Sequence, residues 1–84
     1  MKIVVYGTMT CPYCFALKDW LKEKGVKFEY HFIDIDYKKA KEMLEASDGQ
    51  MRVPFSTVED DGKITKISGF DRAKFSKVLK KNDR

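Results

Sequence analysis

Two cysteines, Cys11 and Cys14, flank Pro12 and Tyr13 near the start of an 84-residue chain. A C-x-x-C pair has three ordinary readings: half of a zinc site, part of an iron–sulfur site, or a redox dithiol. Structural zinc takes four ligands. Two cysteines and one histidine, His31, cannot close a Cys/His zinc site within this chain, so no metal site of that kind is expected. His31 lies between Tyr30 and Phe32 in a strand-like run, where a solvent-facing strand residue is its plain role. Two small buried apolar residues would account for Cys14. They do not account for Cys11, because a proline-flanked helix start following a strand is usually exposed.

The position of Cys11 carries the chemical case. Pro12 suits the first turn of a helix, where its missing N–H costs nothing. Cys14, Leu17 and Leu21 follow at i, i+3 and i+7 with Trp20 beside them. Lys18, Asp19, Lys22 and Glu23 take the other side, and Gly25 closes the pattern. Cys11 is thus expected at the N-cap and Cys14 one turn in. First-turn N–H groups lack intrahelical acceptors, and the helix dipole puts about half a positive charge at that end. Both favour a thiolate at Cys11, which makes it a ready nucleophile and a good leaving group. Cys14 is placed to resolve a mixed disulfide on Cys11. An i, i+3 pair at a helix start falls within the roughly 4.4–6.8 Å Cα separation that a disulfide tolerates. Tyr13 offers a flat apolar face to a bound peptide, or serves as an ordinary exposed loop aromatic.

Residues 2–6 form a β-branched run ended by Gly7, the pattern of a buried strand. Residues 28–35 alternate as a second strand. Residues 37–46 read as a short helix with Ala40, Met43 and Leu44 on one side, broken by Ser47-Asp48-Gly49. A strand over 55–59 leads through Asp60-Asp61-Gly62, a hairpin signal, to its partner over 63–67. Asp71 is a plausible N-cap for a last helix with Phe75, Val78 and Leu79 as its apolar stripe, although Lys74 denies it a capping box. The order β-α-β-α-β-β-α predicts an α/β fold: a four-stranded mixed sheet flanked by three helices, as one domain over residues 1–84. Its first unit needs parallel strands joined by a right-handed crossover.

Hydrophobic residues make up 43% of the chain and charged residues 36%, which argues against disorder. Seventeen Lys and Arg against 13 Asp and Glu leave a net charge of +4, a weak attraction for anionic partners. The densest cationic group, Lys74, Lys77, Lys80 and Lys81, reads as a solvated helix face. Aromatics at core-periodic positions leave no exposed basic and aromatic platform for nucleic acid. No apolar run approaches the ~18–20 residues of a membrane span. The opening Met1 to Gly7 has too few apolar residues for a signal-peptide core. Both thiols sit inside one motif instead of joining distant segments. That points to a reducing compartment, most simply the cytoplasm.

CPYC after a first strand, Val53-Pro54 some forty residues on, and Gly69-Phe70-Asp71 before a last helix together resemble the glutaredoxins of the thioredoxin superfamily. The resemblance spans nearly the whole chain, roughly residues 2–80. It implies the thioredoxin/glutaredoxin fold and a monomeric thiol–disulfide oxidoreductase with no tightly bound cofactor and glutathione as reductant. Substrates would be protein disulfides and glutathione mixed disulfides. Cys11 would attack, and Cys14 would resolve when the substrate is a protein disulfide. Pro54 would be cis, turning the Val53 backbone toward an extended cysteinyl peptide; a trans proline opening an edge strand is the alternative. Gly69, Phe70 and Asp71 would take glutathione's γ-glutamyl end. Gly69 admits close backbone approach, helix-start N–H groups receive a carboxylate, and Asp71 accepts from the ammonium group or simply caps the helix.

Four positions depart from the family pattern. Thr8 stands where many glutaredoxins carry Lys or Arg. Arg52 precedes Val53-Pro54 in place of the common Thr, and offers a cation from another direction. Ser68 replaces a glycine and Arg72 an acid. Ser68-Gly69-Phe70 is also similar to small glutaredoxin-like donors to ribonucleotide reductase, which draw electrons from thioredoxin reductase and not from glutathione, itself recycled by glutathione reductase. Some glutaredoxins instead bridge an iron–sulfur cluster between two chains through the first cysteine. Pro12 argues against that here, since a smaller residue usually follows that cysteine in cluster holders.

Overall fold

The run Ile3-Val4-Val5-Tyr6 is apolar without interruption because it is buried on both sides. The computed structural model describes residues 1–50 and 52–82, with residues 80–82 as backbone alone. Its elements are β1 (Lys2–Gly7), α1 (Pro12–Glu23), β2 (Glu29–Phe32), α2 (Tyr37–Ala46), β3 (Phe55–Asp60), β4 (Lys63–Ser68) and α3 (Arg72–Asn82). The sheet order is β2-β1-β3-β4, with β2 parallel to β1 and the other two pairs antiparallel. This is the expected mixed sheet with three helices.

Alternation along β1 divides the core in two. Ile3 and Val5 join Leu17 and Leu21 of α1, Val58, Ile67 and Phe75 of α3 on one face. Val4 and Tyr6 join Met43 of α2 and Phe55 on the other. Tyr6 Oη donates to Glu42 Oε2 at 2.6 Å and ties α2 to the sheet. That bond holds the Glu42 carboxyl below the usual carboxylate range. Phe75 is fully buried, and Val78 and Leu79 pack half-buried beside it.

Local signals set most boundaries. Gly25, at φ 72°, follows α1, with its N–H on Lys22 O and Val26 N–H on Leu21 O, the Schellman arrangement. Asp36 caps α2 by accepting from Lys39 N–H at 3.2 Å. Asp61 and Gly62, at φ 51° and 80°, supply the two positive angles of a tight two-residue hairpin.

Three expectations need correction. The second strand is Glu29–Phe32 and not residues 28–35. Its pairing with β1 runs from Val4 opposite Glu29 to Gly7 opposite Phe32. Once β1 ends, the chain turns, with Ile35 and Asp36 N–H both on Phe32 O. Leu44 is 40% exposed and does not belong to the buried stripe of α2. That helix covers only part of its sheet face, through Met43 and Ala46. The uncovered part is an open groove of about 390 Å³ that includes Val4, Thr57 and Ile64. His31 is half-buried, with Nε2 3.2 Å from Glu29 Oε1 and its ring 6.0 Å from that of Tyr6. Lys74 and Lys77 are exposed as expected, while the side chains of Lys80 and Lys81 lie outside the described residues.

Ser56 is fully buried between Val5 and Ile67 in the sheet register, and its Oγ has no hydrogen-bond partner among the described residues. An unmade hydrogen bond at a dry site costs more than a methyl group there. Ser56→Ala should therefore raise stability by about 1 kcal/mol in urea unfolding; a loss of stability would show that the hydroxyl is satisfied after all.

Candidate functional site

The chain reverses at one end of the sheet, and the candidate residues gather there. Gly7 ends β1 opposite Phe32, the last residue of β2. Tyr6 pairs with Phe55, the first residue of β3, and Phe55 pairs with Ser68, the last of β4. The segments 8–11, 33–36, 52–54 and 69–71 all leave the sheet from this end. Two bonds lock them together. Met9 N–H donates to Asp34 Oδ2 at 3.1 Å, and Gly69 N–H donates to Pro54 O at 2.7 Å.

Cys11 is the N-cap of α1, with extended backbone angles and Pro12 as the first helical residue. Its Sγ accepts from the Cys14 backbone N–H at 3.2 Å. It thus takes one of the orphan donors of the first turn, as a capping Ser or Asp would. Cys11 is partly exposed and both thiols are free. Tyr13 beside it is 70% exposed.

Cys14 stands in different surroundings. It is fully buried one turn into the helix. Burial pushes its thiol up to about 11, and contact with Cys11 adds to the rise. The Thr8 backbone and the Tyr30 hydroxyl pull the other way without cancelling the effect. Cys14 is therefore a neutral thiol at pH 7.

The second cluster is built around Pro54. The Val53-Pro54 peptide bond is cis, and Pro54 is buried while Val53 is half-buried and Arg52 exposed. Met51 lies outside the described residues. Gly69, at φ 75°, spends its N–H on Pro54 O, so that donor is not open to a ligand. Phe70 packs edge-on against Trp20 with centroids 6.0 Å apart, and the Arg72 guanidinium lies over the Phe70 ring, 5.8 Å from its centroid. Asp71 caps α3 through Oδ1, which accepts from Lys74 N–H at 3.0 Å. Asp71 is exposed.

The glutaredoxin family model matches residues 3–61, which include both cysteines and the Val53-Pro54 turn. The chain belongs to the glutaredoxin family. A glutaredoxin-like 8.6 kDa protein of the rubredoxin operon of Clostridium pasteurianum is 37% identical over 79 residues, 94% of this chain and 99% of that one. The glutaredoxin of Methanosarcina mazei Go1 superposes with a TM-score of 0.76 at 27% identity, covering 93% of this chain and 77% of that one. The glutaredoxin-like NrdH-redoxin of Escherichia coli superposes at 0.74 with 23% identity, covering 93% and 95%, a likeness of fold.

In this glutaredoxin, sequence reasoning missed the residues that surround Cys14. Gly7 was legible as a strand end, yet its role is space. A Cβ there would collide with the Tyr30 hydroxyl and lie 2.9 Å from Cys14 Sγ. Tyr30 itself looks like one more strand aromatic. The alternation Phe28, Tyr30 carries the signal, since it points both toward the face that α1 covers. The Thr8 backbone and the Asp34 carboxylate carry no sequence signal for their contacts.

Two outcomes are expected. Iodoacetamide at pH 7 should alkylate Cys11 and leave Cys14 intact, with Cys14 labelled only as pH rises toward about 11. Peptide mass mapping reads this directly, and equal labelling at pH 7 would contradict it. Gly7→Ala should destabilise the protein by about 1–3 kcal/mol, because the added methyl must push Tyr30 or Cys14 aside in a packed interior; thermal unfolding measures it.

Proposed function

We propose that this glutaredoxin reduces protein disulfides and glutathione mixed disulfides by a dithiol cycle, with Cys11 as nucleophile and Cys14 as resolving thiol. The observation that carries the reading is the contrast between the two sulfurs. Cys11 is a partly exposed N-cap that receives an amide hydrogen bond, and Cys14 is a buried neutral thiol one turn behind it. A negative sulfur gains from the first environment and is opposed by the second.

The Cys11 thiolate attacks one sulfur of the substrate disulfide and the other sulfur departs as thiolate. Cys11 is left in a mixed disulfide. With a protein disulfide, Cys14 loses its proton and attacks Cys11 Sγ, closing the Cys11–Cys14 disulfide and releasing the substrate's second thiol. With a glutathione mixed disulfide, a second glutathione removes the glutathionyl group from Cys11. Two glutathione molecules return the Cys11–Cys14 disulfide to dithiol, with no tightly bound cofactor and within a reducing compartment.

Several features support glutathione at this site. Val53 is half-buried beside the cis bond, and its backbone can pair with an extended cysteinyl peptide. The N–H groups of Arg72 and Ala73 have no intrahelical acceptor and can take a carboxylate. The exposed Asp71 carboxylate can accept from an ammonium group, Arg52 supplies a cation, and Tyr13 an exposed ring. Ser68 and Thr8, both departures from the common pattern, favour a second reading: an electron donor to ribonucleotide reductase fed by thioredoxin reductase.

A paired assay separates the two. NADPH oxidation is followed with glutathione and glutathione reductase on a glutathione mixed disulfide, and with thioredoxin reductase on a protein disulfide. Turnover in the first arm supports the proposal; turnover confined to the second replaces it. Cys11→Ser should abolish both activities. Cys14→Ser should keep deglutathionylation and lose protein-disulfide reduction. Activity surviving in Cys11→Ser would remove Cys11 from the role of nucleophile.

A further inference from the structure

The resolving step raises a problem that the dithiol reading leaves open. Cys14 must lose its proton to attack Cys11, yet its sulfur is fully buried and favours the neutral form. Something in its dry surroundings has to receive the charge.

The group facing that sulfur is the Tyr30 hydroxyl. Both groups border the space beside Gly7. The hydroxyl donates to Thr8 O at 3.3 Å, longer than the ~2.5–3.0 Å of a good O–H···O bond. The proton is held loosely by the carbonyl and can turn to the sulfur. Gly7 makes the approach possible: the space of its missing side chain is filled by Tyr30 Oη on one side and Cys14 Sγ on the other. Gly7 has no positive φ among the described glycines, so close approach is what it supplies here. The ring is fixed by Phe32, edge-on at 4.9 Å, and by Lys18 of α1, whose Nζ is 5.3 Å from its centroid. The Asp34 carboxylate also acts on the hydroxyl. Burial and the adjoining sulfurs hold the phenol far above its ordinary range, so it stays a neutral donor throughout the cycle.

We propose that Tyr30 is a further catalytic residue of this glutaredoxin, donating a hydrogen bond to Cys14 Sγ as that sulfur becomes the attacking thiolate. The inference rests on the dithiol reading. In the step itself, the Cys14 proton passes to solvent and the sulfur's electron pair forms the bond to Cys11 Sγ. The bond from Cys11 to the substrate sulfur breaks, and the leaving thiolate carries off its electron pair. Tyr30 keeps its own proton. The protein loses two electrons and the substrate disulfide gains them.

The test uses one equivalent of dithiobis(nitrobenzoate) against the reduced protein in stopped flow. The first nitrothiobenzoate released reports attack by Cys11, and the second reports resolution by Cys14. Tyr30→Phe keeps the ring and deletes the donor. It should leave the first phase unchanged and slow the second about tenfold, the loss expected for a hydrogen bond to a charged atom. The pH at which the second phase is half-maximal should rise by about one unit, a shift that a purely structural role would not produce. Tyr30→Leu, which removes ring and donor together, should slow the second phase at least as much. A second phase in Tyr30→Phe with wild-type rate and pH profile, or an equal slowing of both phases, overturns the proposal. No second phase in the wild-type protein would instead overturn the dithiol reading beneath it.

Discussion

The amide N–H of Cys14, 3.2 Å from Cys11 Sγ, joins the fold of this glutaredoxin to its chemistry. A helix start leaves donors without acceptors, and here a sulfur takes the place of the usual oxygen cap. The hydrogen bond and the helix dipole both act within the first turn. Both arrive together, because Pro12 starts the helix immediately after Cys11.

The same helix turn gives the second sulfur the opposite treatment. Three residues further on, the side chain points inward beneath Gly7 and loses contact with water. Desolvation is the largest influence on Cys14, and the Thr8 backbone and the Tyr30 hydroxyl only moderate it. One thiol is thereby presented and the other held in reserve. The asymmetry comes from helical geometry: i and i+3 share a face, but the first lies outside the helix proper and the second beneath the sheet's end.

The rest of the site depends on the sheet order. β1 is central, so the segments leaving its neighbours surround the loop that carries Cys11. The Gly69 to Pro54 bond couples two of these segments, and the Met9 to Asp34 bond couples two others. Phe70, read as part of a ligand site, is anchored on Trp20, which makes it a support for the 69–71 turn as much as a contact surface.

What the sequence by itself determined is local in origin. The Cys11 cap, the Gly25 stop, the bounds of α2 and the Asp61-Gly62 hairpin are each written within about one helical turn or one tight turn. Together with CPYC, Val53-Pro54 and Gly69-Phe70-Asp71 they were enough for the fold and the family. Only the tertiary structure decided where β2 stops, that Leu44 is left exposed, that His31 is half-buried, and that the Gly69 N–H is already taken. It also decided that Tyr30 meets Cys14 across the space left by Gly7. Those outcomes join residues far apart in the chain, through strand register and partial helix coverage, and neither periodicity nor capping carries that information.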